Sequence, residues 1–269
     1  MRTLIHLSDL HFGRVDPMIV TPLLDFIRAT NPDLVAISGD LTQRARTPEF
    51  QSARRFLDAI PFPQIVVPGN HDVPLYNLFS RFLRKLNRYQ CFISADLEPF
   101  YRDSEIAVSG VNTARALAWK NGRINRQQLE KLRARFSNVP AANVKIVVTH
   151  HPFDLPEGVN GDHVVGRARL AIQTLAECRV DLLLAGHFHV GATGHTATRY
   201  PFENYSALIV SSGTSTSTRG RGQANSLNVI QIDGAKITIA RQTWRPERGL
   251  FDLFSNERFS RVENGWTRE

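Results

Sequence analysis

The chain has 269 residues, 42% hydrophobic and 22% charged, an ordinary globular composition that excludes a disordered or fibrous chain. Thirty-three Lys and Arg against 25 Asp and Glu give a formal charge of +8, which favours anionic partners such as nucleotides, phosphate esters, nucleic acid or an acidic membrane surface. Cys91 and Cys178 stand far apart with no CxxC or Cys/His cluster, which argues against structural zinc or a disulfide framework and fits a reducing compartment.

The first strand-like segment begins at Thr3, which leaves no room for a signal peptide, and no apolar run approaches the roughly 18 residues that a membrane span needs. The expectation is a cytoplasmic protein without a transmembrane segment. An α/β fold of this length can form one domain around a large core, so residues 1–269 are read as a single domain. No internal repeat, low-complexity tract or linker-like change of composition interrupts it.

Six short apolar runs each end in polar residues: TLIHLSDLH at 3–11, DLVAISGD at 33–40, QIVVPGNHD at 64–72, IAVSGVN at 106–112, VKIVVTHH at 144–151 and DLLLAGHFH at 181–189. Near-continuous Val, Ile and Leu predicts strands buried on both faces, as in sheets covered by helices. Helical patterns lie between them. TPEFQSARRFLDAI at 47–60 reads as a helix capped by Thr47 with Pro48 at its first position, and it puts Phe50, Ala53, Phe56, Leu57 and Ile60 on one face. Residues 77–89, 126–136 and 167–178 read the same way. After Tyr205 strand follows strand, ALIVSSG, LNVIQID and KITIARQTW, with Asp233-Gly234 as a hairpin turn. The pattern leaves the structure of the tail at 245–269 open; its Phe251, Phe254, Phe259 and Trp266 point to packing on the body or to a homodimer interface.

In open α/β sheets, ligands bind beyond the carboxyl ends of the strands. If the strands here are mostly parallel, Asp9, Asp40, Asn70, His150 and His187 meet on one rim. Taken alone, Gly69-Asn70-His71-Asp72 is an acceptable turn, but a turn does not explain five other runs with matching polar ends. His11 and His189 add to the donors, since alternation along an extended segment would aim Asp9 and His11 at one point, and His187 and His189 likewise. The set offers oxygen and nitrogen without thiolate, which suits Mn, Fe, Zn, Ni or Co.

In order, Asp-x-His, Gly-Asp, Gly-Asn-His-Asp, a later His and Gly-His-x-His resemble the motifs of the calcineurin-like metallophosphoesterase superfamily, over about 180 of the 269 residues. The resemblance implies a four-layer α-β-β-α sandwich of two mixed sheets flanked by helices, with a dinuclear site at the strand carboxyl ends. It implies one divalent transition-metal ion (Mn, Fe or Zn) on Asp9, His11, Asp40 and His189 and a second on Asp40, Asn70, His150 and His187, with Asp40 bridging. In-line attack by metal-bound hydroxide on a phosphoryl centre would follow. His71, which the pattern does not use as a ligand, is left to bond a phosphate oxygen or protonate the leaving alkoxide, and Asn70 also borders the substrate. Asp72 is without a firm role, as a brace for the loop or the imidazole.

Other residues are read more plainly. His6 is a core residue, His151 should point away from His150 as a supporting group, and His163 and His195 sit in Gly-containing loops more suited to solvent than to substrate. Arg81, Arg84, Lys85 and Arg88 recur at helical spacing and suggest a solvated face. The loop STSTRGRGQANS at 215–226, with Arg219 and Arg221, suits a phosphate contact or a flexible connection equally well.

Departures from the family patterns narrow the substrate. GDLTQR and GNHD lack the continuations of the protein Ser/Thr phosphatases, and His71 stands where lipid pyrophosphohydrolases usually carry Arg. Repair nucleases share DLHFG and GNHD but usually add a DNA-capping region. SDLH, GDLT, GNHD, HHP and GHFH together look most like bacterial class III cyclic-nucleotide phosphodiesterases and related glycerophosphodiesterases. The expected substrate is therefore a small anionic phosphodiester, with a 3′,5′-cyclic nucleotide as one candidate. A pyrophosphohydrolase or a nuclease acting on nucleic acid is the alternative within the superfamily, and a non-catalytic scaffold the alternative of another class.

Overall fold

The computed structural model describes residues 1–74, 86–115, 120–155, 164–202, 204–219 and 222–269. Much of the helix expected at 77–89 lies outside these residues, as do Arg81, Arg84, Lys85, His163 and Arg221.

Two sheets carry the molecule. In the first, β1 (Arg2–Leu7), β2 (Leu34–Ile37) and β3 (Gln64–Val66) run parallel, and β10 (Ser226–Asp233) pairs antiparallel with the free side of β1. From β10 the sheet continues antiparallel through β11 (Lys236–Arg245), β12 (Leu250–Val262) and β13 (Gly265–Arg268), giving the order β13-β12-β11-β10-β1-β2-β3. The second sheet has the order β4-β5-β6-β7-β9-β8, built from β4 (Phe100–Arg102), β5 (Ile106–Gly110), β6 (Val144–Val148), β7 (Leu182–Ala185), β8 (Ala192–His195) and β9 (Leu208–Ser211). Here β5, β6, β7 and β9 are parallel, and β4 and β8 close the edges antiparallel.

Strand alternation assigns the layers. Leu4, Leu34, Ala36 and Ile65 of the first sheet meet Ile106, Val108, Ile146, Leu182 and Leu184 of the second in a shared core. Their neighbours Ile5, Leu7, Val35 and Ile37 face outward under α1 (Pro17–Thr30), α2 (Thr47–Asp58) and α3 (Asn87–Phe92). Ala107, Val147 and Leu183 face α4 (Arg126–Phe136) and α5 (Ala168–Glu177). The apolar runs are continuous because both faces of each central strand are covered, and the result is the expected α-β-β-α sandwich.

Local details depart from the sequence reading. Thr47 is the first residue of α2 rather than its cap; Glu49 Oε2 instead accepts the backbone N–H groups of Arg44 at 2.8 Å and Arg46 at 3.2 Å. The β10–β11 register pairs Asp233 with Lys236, so Gly234-Ala235 forms the turn, with Gly234 at φ +56°. The tail supplies β12 and β13, where Phe251, Phe259 and Trp266 are buried and Phe254 is 63% exposed. His195 lies in edge strand β8 rather than in a solvated loop, half-buried with its ring 6.0 Å from that of Phe259. Among the described residues, no helix is long and apolar enough to cross a membrane.

Candidate dinuclear metal centre

The strands stop before their chemistry begins. β1 ends at Leu7, β2 at Ile37, β3 at Val66 and β7 at Ala185, so Asp9, His11, Asp40, Asn70, His187 and His189 all stand in loops past the carboxyl ends. Five of them, Asp9, His11, Asp40, His187 and His189, have positive φ between 49° and 75°. A left-handed backbone is costly for side chains of this kind, and it persists where surrounding bonds over-determine it. Asp9 and His11 therefore do converge, but through left-handed turns and not through extended alternation as the sequence suggested; His187 and His189 part instead, His187 toward His150 and His189 toward Asp9 and His11.

Close approach fixes two glycines. A Cβ on Gly69 would stand 2.1 Å from Asp40 Oδ1, and one on Gly186 would stand 1.7 Å from Ser8 Oγ and 2.6 Å from Asp9 Oδ2. Gly69 has an ordinary φ, so it is there to admit the Asp40 carboxylate rather than to bend the chain.

The carboxylates are held by one oxygen and present the other. Asp9 Oδ2 accepts from Ser8 Oγ at 2.6 Å and from the His187 N–H at 2.9 Å, while Oδ1 is buried without a hydrogen-bond partner, 3.1 Å from His189 Nε2 and 3.6 Å from His11 Nε2. Asp40 Oδ1 accepts from the His71 N–H at 2.8 Å, and Oδ2 lies between His150 Nε2 at 3.3 Å and His11 Nε2 at 3.8 Å.

Backbone carbonyls set the imidazoles. His150 Nδ1–H donates to Ser38 O at 2.8 Å and His189 Nδ1–H to Arg219 O at 3.0 Å, which leaves each Nε2 facing the centre. There His150 Nε2 is 3.0 Å from Asn70 Oδ1 and 3.2 Å from His187 Nδ1, and His11 Nε2 is 3.1 Å from His189 Nε2. His151 was expected to point away. Instead its ring centroid is 4.8 Å from that of His187 and one ring nitrogen joins His150 and His187 in a group able to hold an ion, while Nδ1 pairs with Thr113 Oγ1 at 2.8 Å.

The field is polarised. The Asp40 carboxylate outweighs burial and raises His150 to about 9, and Asp9 raises His189. Burial, reinforced by His150, drops His187 to about 3, and burial lowers His11. Asp9 and Asp40 are held below the usual carboxylate range by the neighbouring histidines, against the opposing effect of burial.

This donor set fits divalent metal ions. Asp9 Oδ1 is a buried acceptor with no hydrogen-bond partner, and the pairs of imidazole nitrogens at 3.1–3.2 Å can share a metal cation as well as a proton. Three groups of His and Asp have the spacing for it: Asp9, His11 and His189; Asp9, Asp40 and His150; and His150, His151 and His187. The second group joins the other two.

Some supporting residues had no sequence signal beyond being small or polar. Ser8 and Ser38 fix Asp9 and His150, and Gln43 O accepts from His71 Nδ1–H at 2.8 Å. Others were in view but unassigned. The loop expected at 215–226 begins as a clamp: Thr214 Oγ1 and Thr216 Oγ1 donate to Asp9 O and Leu10 O, each at 2.6 Å, and Arg219 Nη1 lies 3.1 Å from His71 Nε2.

An α-β-β-α sandwich with an Asp/His/Asn cluster at the strand ends defines a metallophosphatase fold. A zebrafish (Danio rerio) dimetal phosphatase shares it, with a TM-score of 0.65 at 13% identity over 94% of this chain and 98% of that one. Residues 2–191 match the model of the calcineurin-like phosphoesterase family, and the chain belongs to that family, whose members use two divalent metal ions. Two curated relatives are similar in sequence: the glycerophosphodiester phosphodiesterase GpdQ of Enterobacter lignolyticus, 37% identical over 95 residues, and a probable glycerophosphodiester phosphodiesterase GpdQ of Arcobacter nitrofigilis, 26% identical over 166 residues. The matches span 31% and 59% of this chain, and only 33% and 57% of the relatives' own lengths.

Proposed function

We propose that the protein is a dinuclear-metal phosphodiesterase acting on a small phosphodiester. The observation that carries this reading is the position of Asp40 Oδ2, between His11 Nε2 of one donor group and His150 Nε2 of the other. Asp9, His11, Asp40 and His189 would hold one ion, and Asp40, Asn70, His150 and His187 the other. When bound, two divalent ions supply Lewis acidity toward a phosphoryl oxygen and acidify water at neutral pH. Asp9 and Asp40 offset two of their four positive charges, and Asn70 binds without offsetting more, so the site keeps an attraction for a phosphate anion.

His71 works beside the ions. Its N–H is tied to Asp40 and its Nδ1–H to Gln43 O, so the ring is fixed with Nε2 toward the site, 4.9 Å from the His11 ring centre to centre. Nε2, once it carries a proton of its own, is the atom that would donate to a phosphoryl oxygen or to the departing alkoxide, a role typically worth about 10²–10⁴ in rate.

For the substrate, the names of the two relatives favour a glycerophosphodiester, and the motif resemblance adds 3′,5′-cyclic nucleotides. Manganese, iron and zinc all suit the O/N donors. The test loads purified protein with Mn or Fe and compares bis(p-nitrophenyl) phosphate with p-nitrophenyl phosphate, then glycerophosphodiesters, cyclic nucleotides, nucleotide-diphosphate lipids and oligonucleotides. Faster turnover of the diester is expected. A strong preference for the monoester overturns the reading, and absence of both metal and turnover favours a scaffold on the same fold.

A further inference from the structure

We propose that Arg219 is a substrate-binding residue whose guanidinium takes a non-bridging oxygen of the phosphoryl group. This rests on the phosphodiesterase reading, and it concerns a residue outside the motifs that carry the family resemblance.

Three observations point to it. Arg219 touches two site histidines at once: its carbonyl accepts from His189 Nδ1–H at 3.0 Å, and its Nη1 donates to His71 Nε2 at 3.1 Å. Its backbone is pinned, because its N–H donates to Ser217 Oγ at 3.1 Å and the segment before it is stitched to the Asp9 loop. Thr216 Oγ1 donates to Leu10 O at 2.6 Å, Ser217 Oγ to Arg14 O at 3.2 Å, and the Asp16 N–H to Thr216 O at 2.9 Å. The guanidinium, finally, has no ion-pair partner among the described residues; the group it faces is an imidazole nitrogen.

A half-buried guanidinium directed at an imidazole nitrogen is a donor waiting for a better acceptor. Phosphoryl oxygens are anionic, and Arg hydrogen bonds to such oxygens are roughly twice as strong as those between neutral groups. A phosphodiester entering beside His71 therefore displaces the imidazole from Nη1. The exchange leaves Arg219 on a phosphoryl oxygen and uncovers the His71 Nε2 lone pair, which must take a proton from water before it can donate to the remainder of the ester. No covalent bond changes in this step. The planar fork also fits two oxygens of one phosphoryl group, which Lys cannot match.

The test uses the Mn-loaded full chain, titrated calorimetrically with inorganic phosphate as wild type, Arg219→Ala and Arg219→Lys. Metal content and the kinetics on bis(p-nitrophenyl) phosphate are measured in parallel. Arg219→Ala should weaken phosphate binding about 10- to 100-fold, raise KM more than it lowers kcat, and keep its metal, because the carbonyl that fixes His189 remains. Arg219→Lys should recover part of the affinity. The proposal is overturned if wild type binds no phosphate, if Arg219→Ala binds it as tightly as wild type, or if the variant's loss of binding follows loss of metal. Should wild type bind phosphate and hydrolyse no ester, the phosphodiesterase reading fails while Arg219 is still judged on phosphate alone.

Discussion

Asp72 Oδ1 accepts two hydrogen bonds from Thr42, the backbone N–H at 2.9 Å and the hydroxyl at 3.0 Å. Its other oxygen accepts the N–H groups of Gly69 at 2.9 Å and Leu41 at 3.2 Å. One buried carboxylate thus joins the loop after β2 to the loop after β3, which gives Asp72 the loop-bracing role and leaves the imidazole to Gln43. Asp72→Ala strands buried donors at about 1–3 kcal/mol each, so a loss on the order of 3 kcal/mol or more is expected in urea unfolding. Asp72→Asn should be nearly as harmful, because its NH₂ would face donors.

The substitution Gly69→Ala puts a methyl group into the Asp40 carboxylate, where backbone and side chain both stand within 2.3 Å of the new Cβ. The variant should fold, since the clash is confined to the loop, and lose metal affinity more than stability. Metal analysis after gel filtration, beside a thermal melt, separates the two effects.

What could be read from the sequence here was the list of strands and the donors at their ends, because strands covered on both faces leave unbroken apolar runs and the donors are chemically conspicuous. The left-handed turns that carry Asp9, His11, Asp40, His187 and His189 left no such mark, since backbone angles outside Gly are not written in residue type. Nor could Arg219 be placed: its approach to His71 spans 148 residues, from the segment before β10 to the loop after β3. Edge strands β4, β8 and β13 lacked a clear pattern because exposed edges need no continuous apolar run, and β12 lacked one because most of its residues are not buried.

His71→Ala should lower kcat on bis(p-nitrophenyl) phosphate by about 10²–10⁴ with metal content unchanged. Asn70→Ala, which removes a donor 3.0 Å from His150 Nε2, should lose metal as well. Parallel loss of metal in both would place His71 among the ligands instead.

His6 gives a pH dependence. Complete burial keeps it neutral and lowers it from 6.5 to about 3, with Nε2 on Ser38 Oγ at 2.9 Å. Between those values the unfolded chain binds a proton that the folded chain refuses, so stability is full above pH 6.5 and falls as the pH drops toward 3, by up to about 1.4 kcal/mol per pH unit. His6→Gln, compared with wild type by urea melts across that window, should show the shallower decline. Parallel curves would contradict the assignment.

Chelation should abolish phosphodiesterase turnover and also lower the melting temperature, because an ion bound only to the folded state stabilises it. Asp9, His11, Asp40 and Asn70 follow strands of the first sheet and His150, His187 and His189 strands of the second, so ions held by these residues would rivet one sheet to the other. Readdition of Mn should restore both properties; recovery of activity without recovery of the melt would show that the rivet carries no load.

All seven donors lie before residue 190, yet β1 is completed by β10 at Ser226–Asp233, and the Asp9 loop is held by Thr214 and Thr216. A chain emerging in order would therefore carry every proposed ligand before the frame that aims them is made. On the proposed ligand assignment, metal capture would wait for the last third of the chain, since the donors made before it have no finished frame around them.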